Sequence, residues 1–146
     1  MHALRIIVVI ITAAALVLNA VIHFELASIY DAIPGALLSQ GALFRIQAVV
    51  GIVIAVMLMI SVKVGRIALS TAVVAAIVAA GGFALVVTTT LIPLDLTAIG
   101  LPYLFEPIWF SDKIMTVVVQ AVALVTALAA AALAPRRGRR TRPVQP

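Results

Sequence analysis

The residues able to do chemistry lie in three short stretches. The first holds Asn19, His23, Glu25, Tyr30 and Asp31, the second is built around Arg45, and the third holds Glu106, Asp112 and Lys113. On a helix, Asn19 and His23 stand four apart and share a face. An imidazole such as His23, one of only two in the chain, could move a proton or hydrogen-bond a polar headgroup. Arg45 and Lys113 could hold an anion. His23, Glu25 and Asp31 carry metal-ligating atoms, but one histidine with carboxylates lacks the spacing of a ligand motif, so no metal site is predicted. No nucleophile stands beside a base, so no catalytic residue is assigned. The plainer alternative is that the cations and acids pair with one another and fix the packing. With no cysteine, disulfides, thiolate metal sites, iron–sulfur clusters and thiol redox chemistry are excluded.

The composition says what must position these residues. Of 146 residues, 65% are hydrophobic and 10% charged, and the mean hydropathy is +1.30. A soluble domain carries about a quarter charged residues. A soluble enzyme, a disordered chain and a nucleic-acid binder therefore fit poorly, and an integral membrane protein fits well. Four charge-free runs cover 6–24, 46–62, 67–94 and 114–135. A charge at the bilayer centre costs about 2.5–3.5 kcal/mol on insertion scales, so such runs mark spans. None shows the alternation of a barrel strand. The sequence predicts an all-α polytopic membrane protein, a bundle of four transmembrane helices at about 5–26, 43–63, 66–92 and 112–134. Every proline falls outside the helix interiors. Residues 1–134 form the membrane domain, and 135–146 form a basic cytoplasmic tail expected to be disordered.

Orientation follows from the cations. With the N-terminus inside, Arg5, Lys63, Arg66, Arg136, Arg137, Arg139, Arg140 and Arg142 are cytoplasmic, eight of the ten Lys and Arg. Only Arg45 and Lys113 lie outside, which is the positive-inside pattern. Both termini are expected in the cytoplasm and the protein in the plasma membrane. All five acids, Glu25, Asp31, Asp95, Glu106 and Asp112, then face outward. The first helix reads as retained, since Leu18-Asn19-Ala20 makes a poor cleavage site. Helices 2 and 4 each begin with aromatic residues and one cation and then carry one glutamine (Gln47, Gln120), a faint internal repeat.

No ionisable group falls mid-bilayer. The polar residues there are Asn19, Gln47, Thr88, Thr89, Thr90, Gln120 and Thr126. A proton-coupled exporter needs a deep carboxylate, which this chain lacks. A two-histidine haem within one chain is excluded because His2 lies at the opposite end from His23. Tyr30, Tyr103 and Trp109 read as interfacial aromatics. Alanines every fourth residue, Ala68-Ala72-Ala76-Ala80 and Ala123-Ala127-Ala131, allow helices to approach closely, within the bundle or between chains.

The segments from Ile22-His23-Phe24-Glu25 to Tyr30-Asp31-Ala32-Ile33, Leu43-Phe44-Arg45, and Phe105-Glu106-Pro107-Ile108-Trp109-Phe110 to Lys113 resemble a group of uncharacterised four-helix membrane proteins of actinobacteria. The resemblance covers most of the chain and brings no activity with it. In layout alone the chain is similar to DoxX-like membrane proteins, which implies the fold only. The thiol-oxidising four-helix families depend on paired cysteines, which are missing here.

Three functions follow as expectations. The first is a non-enzymatic accessory or assembly partner of a larger membrane complex. The second is a binder of a quinone, lipid or other amphiphile at an outer-mouth cluster of His23, Glu25, Asp31, Arg45, Glu106, Asp112 and Lys113. The weakest is a transporter using a polar path through Asn19, Gln47, Thr88 to Thr90 and Gln120. No cofactor is predicted beyond a quinone or lipid. The bilayer is the expected partner, with a membrane-protein partner or homo-oligomer left open and no nucleic acid. Convergence of His23, Arg45 and Lys113 on one open pocket would favour the amphiphile reading; burial of each in an ion pair would favour the accessory reading.

Overall fold

A computed structural model describes residues 2–135. Within them the chain is all-helical apart from one small hairpin. The helices are α1 (His2–Tyr30), α2 (Gln40–Lys63), α3 (Ala68–Leu91) and α4 (Ser111–Ala132). All four are long and apolar enough to cross a membrane. The predicted tail begins at Pro135, and its cations, Arg136 onward, lie outside the described residues.

Local chemistry explains the boundaries. α1 runs four residues beyond its expected end because no Gly or Pro interrupts it before Pro34, and Ala27 and Tyr30 keep its buried face going. α2 starts at Gln40 because the Ser39 hydroxyl accepts from the Ala42 N–H at 3.0 Å, a helix N-cap. α3 follows a single 3-10 turn, Gly65–Ile67, and stops two residues before Pro93.

The helices form a ring in which α1 packs chiefly on α2 and α4, and α3 packs on α4 and more loosely on α2. The core joins Val9, Leu16, Ile54 and Leu58 to a bed of alanines, among them Ala72, Ala75, Ala79, Ala123 and Ala127. Ala72, Ala76, Ala123 and Ala127 of the four-residue repeats are thus buried inside the bundle, where small side chains let backbones come close. Outward faces carry exposed Ile7, Val17, Ile77 and Val125, an apolar surface suited to hydrocarbon and costly in water.

The charges separate the two ends of the ring. Arg5, Lys63 and Arg66 lie at the basic end, by the α2–α3 turn. Asp31 and Arg45, with Glu106, Asp112 and Lys113, lie at the acidic end. Two connections cover the acidic end. The longer holds strands β1 (Leu94–Asp95) and β2 (Tyr103–Leu104), antiparallel with Leu94 opposite Leu104. The Leu37 N–H of the shorter donates to the Gly100 carbonyl of the longer at 2.8 Å. Gly100 has φ 79°, and a Cβ there would meet the Leu37 side chain. Glycine meets both demands, so the two loops clasp as one cap.

Candidate functional site

The cap and the adjacent halves of all four helices line a partly open cavity of about 100 Å³. α1 supplies His23 and Tyr30, α2 supplies Phe44 and Gln47, α3 supplies Gly82 and Thr89, the cap supplies Glu106, and α4 supplies Lys113 and Thr116. Leu26, Leu43, Leu85 and Leu104 make the rest of the wall largely apolar.

The helical spacing that puts Asn19 and His23 on one face decides the histidine's state. His23 Nδ1 lies 2.8 Å from the Asn19 carbonyl oxygen. A carbonyl only accepts, so Nδ1 carries a proton and donates. In the neutral ring Nε2 is then left as an acceptor. The ring stands edge-to-face with Phe44 at 5.1 Å between centroids, and Phe44 in turn contacts Tyr30 at 4.8 Å. The Tyr30 hydroxyl donates weakly to Glu106 Oε2 at 3.4 Å.

Lys113 is buried and meets no carboxylate. Its ammonium donates to the backbone carbonyl of Glu106 and, at 3.3 Å, to that of Ile108, and it stands 5.4 Å from the Trp109 ring centroid. The cation thus ties the cap to the start of α4. The Glu106 N–H donates to the Thr89 carbonyl at 2.9 Å, which ties the same strip to α3.

Arg45 goes elsewhere. Its two terminal nitrogens donate to Asp31 Oδ1 and Oδ2 at 2.7 and 2.6 Å, on the exposed rim of the cap. The Arg45 guanidinium holds the Asp31 carboxyl below the usual carboxylate range, and the Ser39 hydroxyl adds to the effect. Asp95, on β1, is likewise held low, by the hydroxyl and N–H of Thr97. Glu25 and Asp112 are exposed and do not line the cavity, and neither do Tyr103 and Trp109, which are exposed on the cap. The expected outer cluster therefore divides in two. His23, Glu106 and Lys113 converge on the cavity with Tyr30, while Asp31 and Arg45 form a surface pair.

Gly82 carries a part of the site that sequence reading missed. A Cβ there would lie 2.7 Å from the Nε2 atoms of both Gln47 and Gln120. The glycine makes room for two amides beside the cavity. Gln120 Nε2 donates to Asn19 Oδ1 at 3.2 Å, and its Oε1 is buried without a partner. A mid-helix glycine costs about 1 kcal/mol against alanine, so Gly81-Gly82 in an apolar helix was the available signal. Of the polar residues expected to line a transporter's path, Asn19, Gln47 and Gln120 gather at Gly82. Thr89 and Thr90 bond back to their own helix, and toward the basic end the core turns to Leu16, Leu58 and alanines, with one Thr12–Thr126 hydroxyl pair at 2.8 Å.

In comparisons with known proteins, no family model, curated protein or solved structure matches the chain. The family resemblance therefore rests on the quoted segments alone.

Proposed function

We propose that this is a multi-pass protein of the cell membrane, with both termini cytoplasmic, that binds the polar head of an amphiphile, a quinone or a lipid, in the cavity at its acidic end. The observation that carries the reading is the meeting of His23 and Lys113, from α1 and α4, on one largely apolar cavity. Apolar walls with a few convergent polar groups are the usual makeup of a small-molecule site. His23, with Nδ1 donating to Asn19, offers an acceptor at Nε2 in its neutral form, and Tyr30 offers a hydroxyl. The volume bounds the ligand. A cavity of roughly 150 Å³ holds a benzene ring; this one, at about 100 Å³ and partly open, takes the polar end of a headgroup and leaves the rest outside. The tail would leave toward the bilayer between α2 and α3, which both line the cavity and pack loosely on each other.

The test is purification of the tagged protein in mild detergent, with mass spectrometry of co-purified lipids and quinones and of proteins. One enriched amphiphile near one per chain, lost in His23→Leu and in Thr116→Val, is the expected result. An amphiphile content that both variants leave unchanged, or no enrichment at all, would overturn the reading. The accessory-subunit reading is second and rests on the cap's exposed Ile99, Ile108 and Trp109. A stoichiometric protein partner, lost on Ile108→Ser, supports it.

A further inference from the structure

A second concavity lies on the outward side of the α1–α2 seam. Ala13, Ala14 and Ala55 form its floor, branched residues such as Val17 and Val56 form its walls, and Lys63 closes one end. It is almost wholly apolar, an open groove of about 890 Å³, so hydrocarbon fills it better than water does. On α1 it runs from Ile10 to Val21, about 17 Å at 1.5 Å per residue. That is close to one leaflet of a roughly 30 Å hydrocarbon core.

Among the described residues, the groove's charged end has no acid to balance it. Lys63 is exposed there, and Arg66, in the turn that follows α2, is exposed at the same end of the bundle. Arg5 is 5% exposed; its Nη2 donates to the Ser61 and Val62 carbonyls at 2.8 and 3.3 Å, and its Nε has no partner. Those carbonyls sit one and two residues before Lys63. The chain's acidic side chains begin at Glu25, 20 residues along α1 from Arg5 and so about 30 Å away. No Asp or Glu of this chain can neutralise the end of the groove. An anion from outside can, and the groove beside it accepts an acyl chain.

We propose that the α1–α2 groove binds an anionic phospholipid, with an acyl chain on the alanine floor and the phosphate at Lys63. The inference requires the helices to lie in a bilayer and does not depend on the ligand of the acidic-end cavity. Each cation near a headgroup surface favours an anionic lipid by about fivefold.

The experiment reconstitutes the full chain in nanodiscs of equal phosphatidylglycerol and phosphatidylcholine and counts retained lipids by native mass spectrometry. The wild type is expected to keep one phosphatidylglycerol per chain, several-fold over phosphatidylcholine. Ala14→Leu fills the groove from an exposed position, without entering the core, and is expected to lose that lipid. Lys63→Gln, also at an exposed position, is expected to cut the preference about fivefold. Three results overturn the proposal: equal retention of the two lipids by the wild type, phosphatidylglycerol retention undiminished in Ala14→Leu (attraction by the basic tail alone), or a lipid-free dimer that Ala14→Leu dissociates.

Discussion

Arg45 grips both carboxylate oxygens of Asp31, 14 residues earlier in the chain, at 2.7 and 2.6 Å. The pair joins the end of α1 to the first turns of α2 on the exposed rim of the cap, and it removes Arg45 from the cavity that His23 and Lys113 share. Because Arg45 holds the Asp31 carboxyl below its ordinary value of 3.8, the pair's contribution is complete above that value and is lost as pH falls through the lower folded value. The melting temperature of Asp31→Asn in detergent is expected to lie below wild type by a constant gap above about pH 5. The gap should close on further acidification. A gap that widens toward low pH would refute the assignment.

Gly82 and Gly81 make an internal contrast. A Cβ at Gly82 meets two glutamine amides at 2.7 Å, whereas one at Gly81 meets nothing within 4 Å. Gly82→Ala is expected to destabilise by about 1–3 kcal/mol through overpacking. Gly81→Ala should stabilise by about 0.5–1 kcal/mol by raising helix propensity. Thermal unfolding of the two variants in one detergent checks both signs.

Arg5 holds the last carbonyls of α2. Arg5→Met keeps much of the side chain's length and removes the donors. It is expected to cost about 1.5–3 kcal/mol, the range for a hydrogen bond made by a charged group. Arg5→Lys should recover part of that loss, because an ammonium still favours a helix C-terminus. Equal stability of wild type and Arg5→Met would show that the buried guanidinium contributes nothing.

Lys113 anchors the cap through two backbone carbonyls. Lys113→Met is therefore expected to speed amide exchange across 103–108 at least tenfold while leaving 114–130 protected, because the cap loses an anchor and the helix does not. Hydrogen exchange followed by mass spectrometry reads both segments in one experiment.

The absence of cysteine makes orientation directly measurable. Leu37, 75% exposed on the cap, and Arg66, at the opposite end, accept single cysteines. With both termini in the cytoplasm, an impermeant maleimide should label Leu37→Cys on intact cells and Arg66→Cys only after lysis. The reverse pattern would invert the topology.

Four helices long and apolar enough to span a membrane were legible from the sequence because hydrocarbon leaves a backbone few choices. Every N–H and C=O must be satisfied within the segment, so a long charge-free run reads as a helix. Proline at 34 and 93 limited where α1 and α3 could end, and Lys and Arg counts gave an expected orientation. The candidate site was legible only by residue type. The seven polar residues of the outer cluster were visible along the chain, but no periodicity says which helix faces which. Only the packed ring decides that Arg45 meets Asp31, that Lys113 meets carbonyls and no carboxylate, and that His23 shares a cavity with Tyr30 and Glu106. Gly82 and Arg5 show the same division. Each is a local anomaly in the sequence, a glycine inside a helix and a cation at its edge. Their purposes, room for two amides and a hold on the end of α2, depend on neighbours 35 or more residues away.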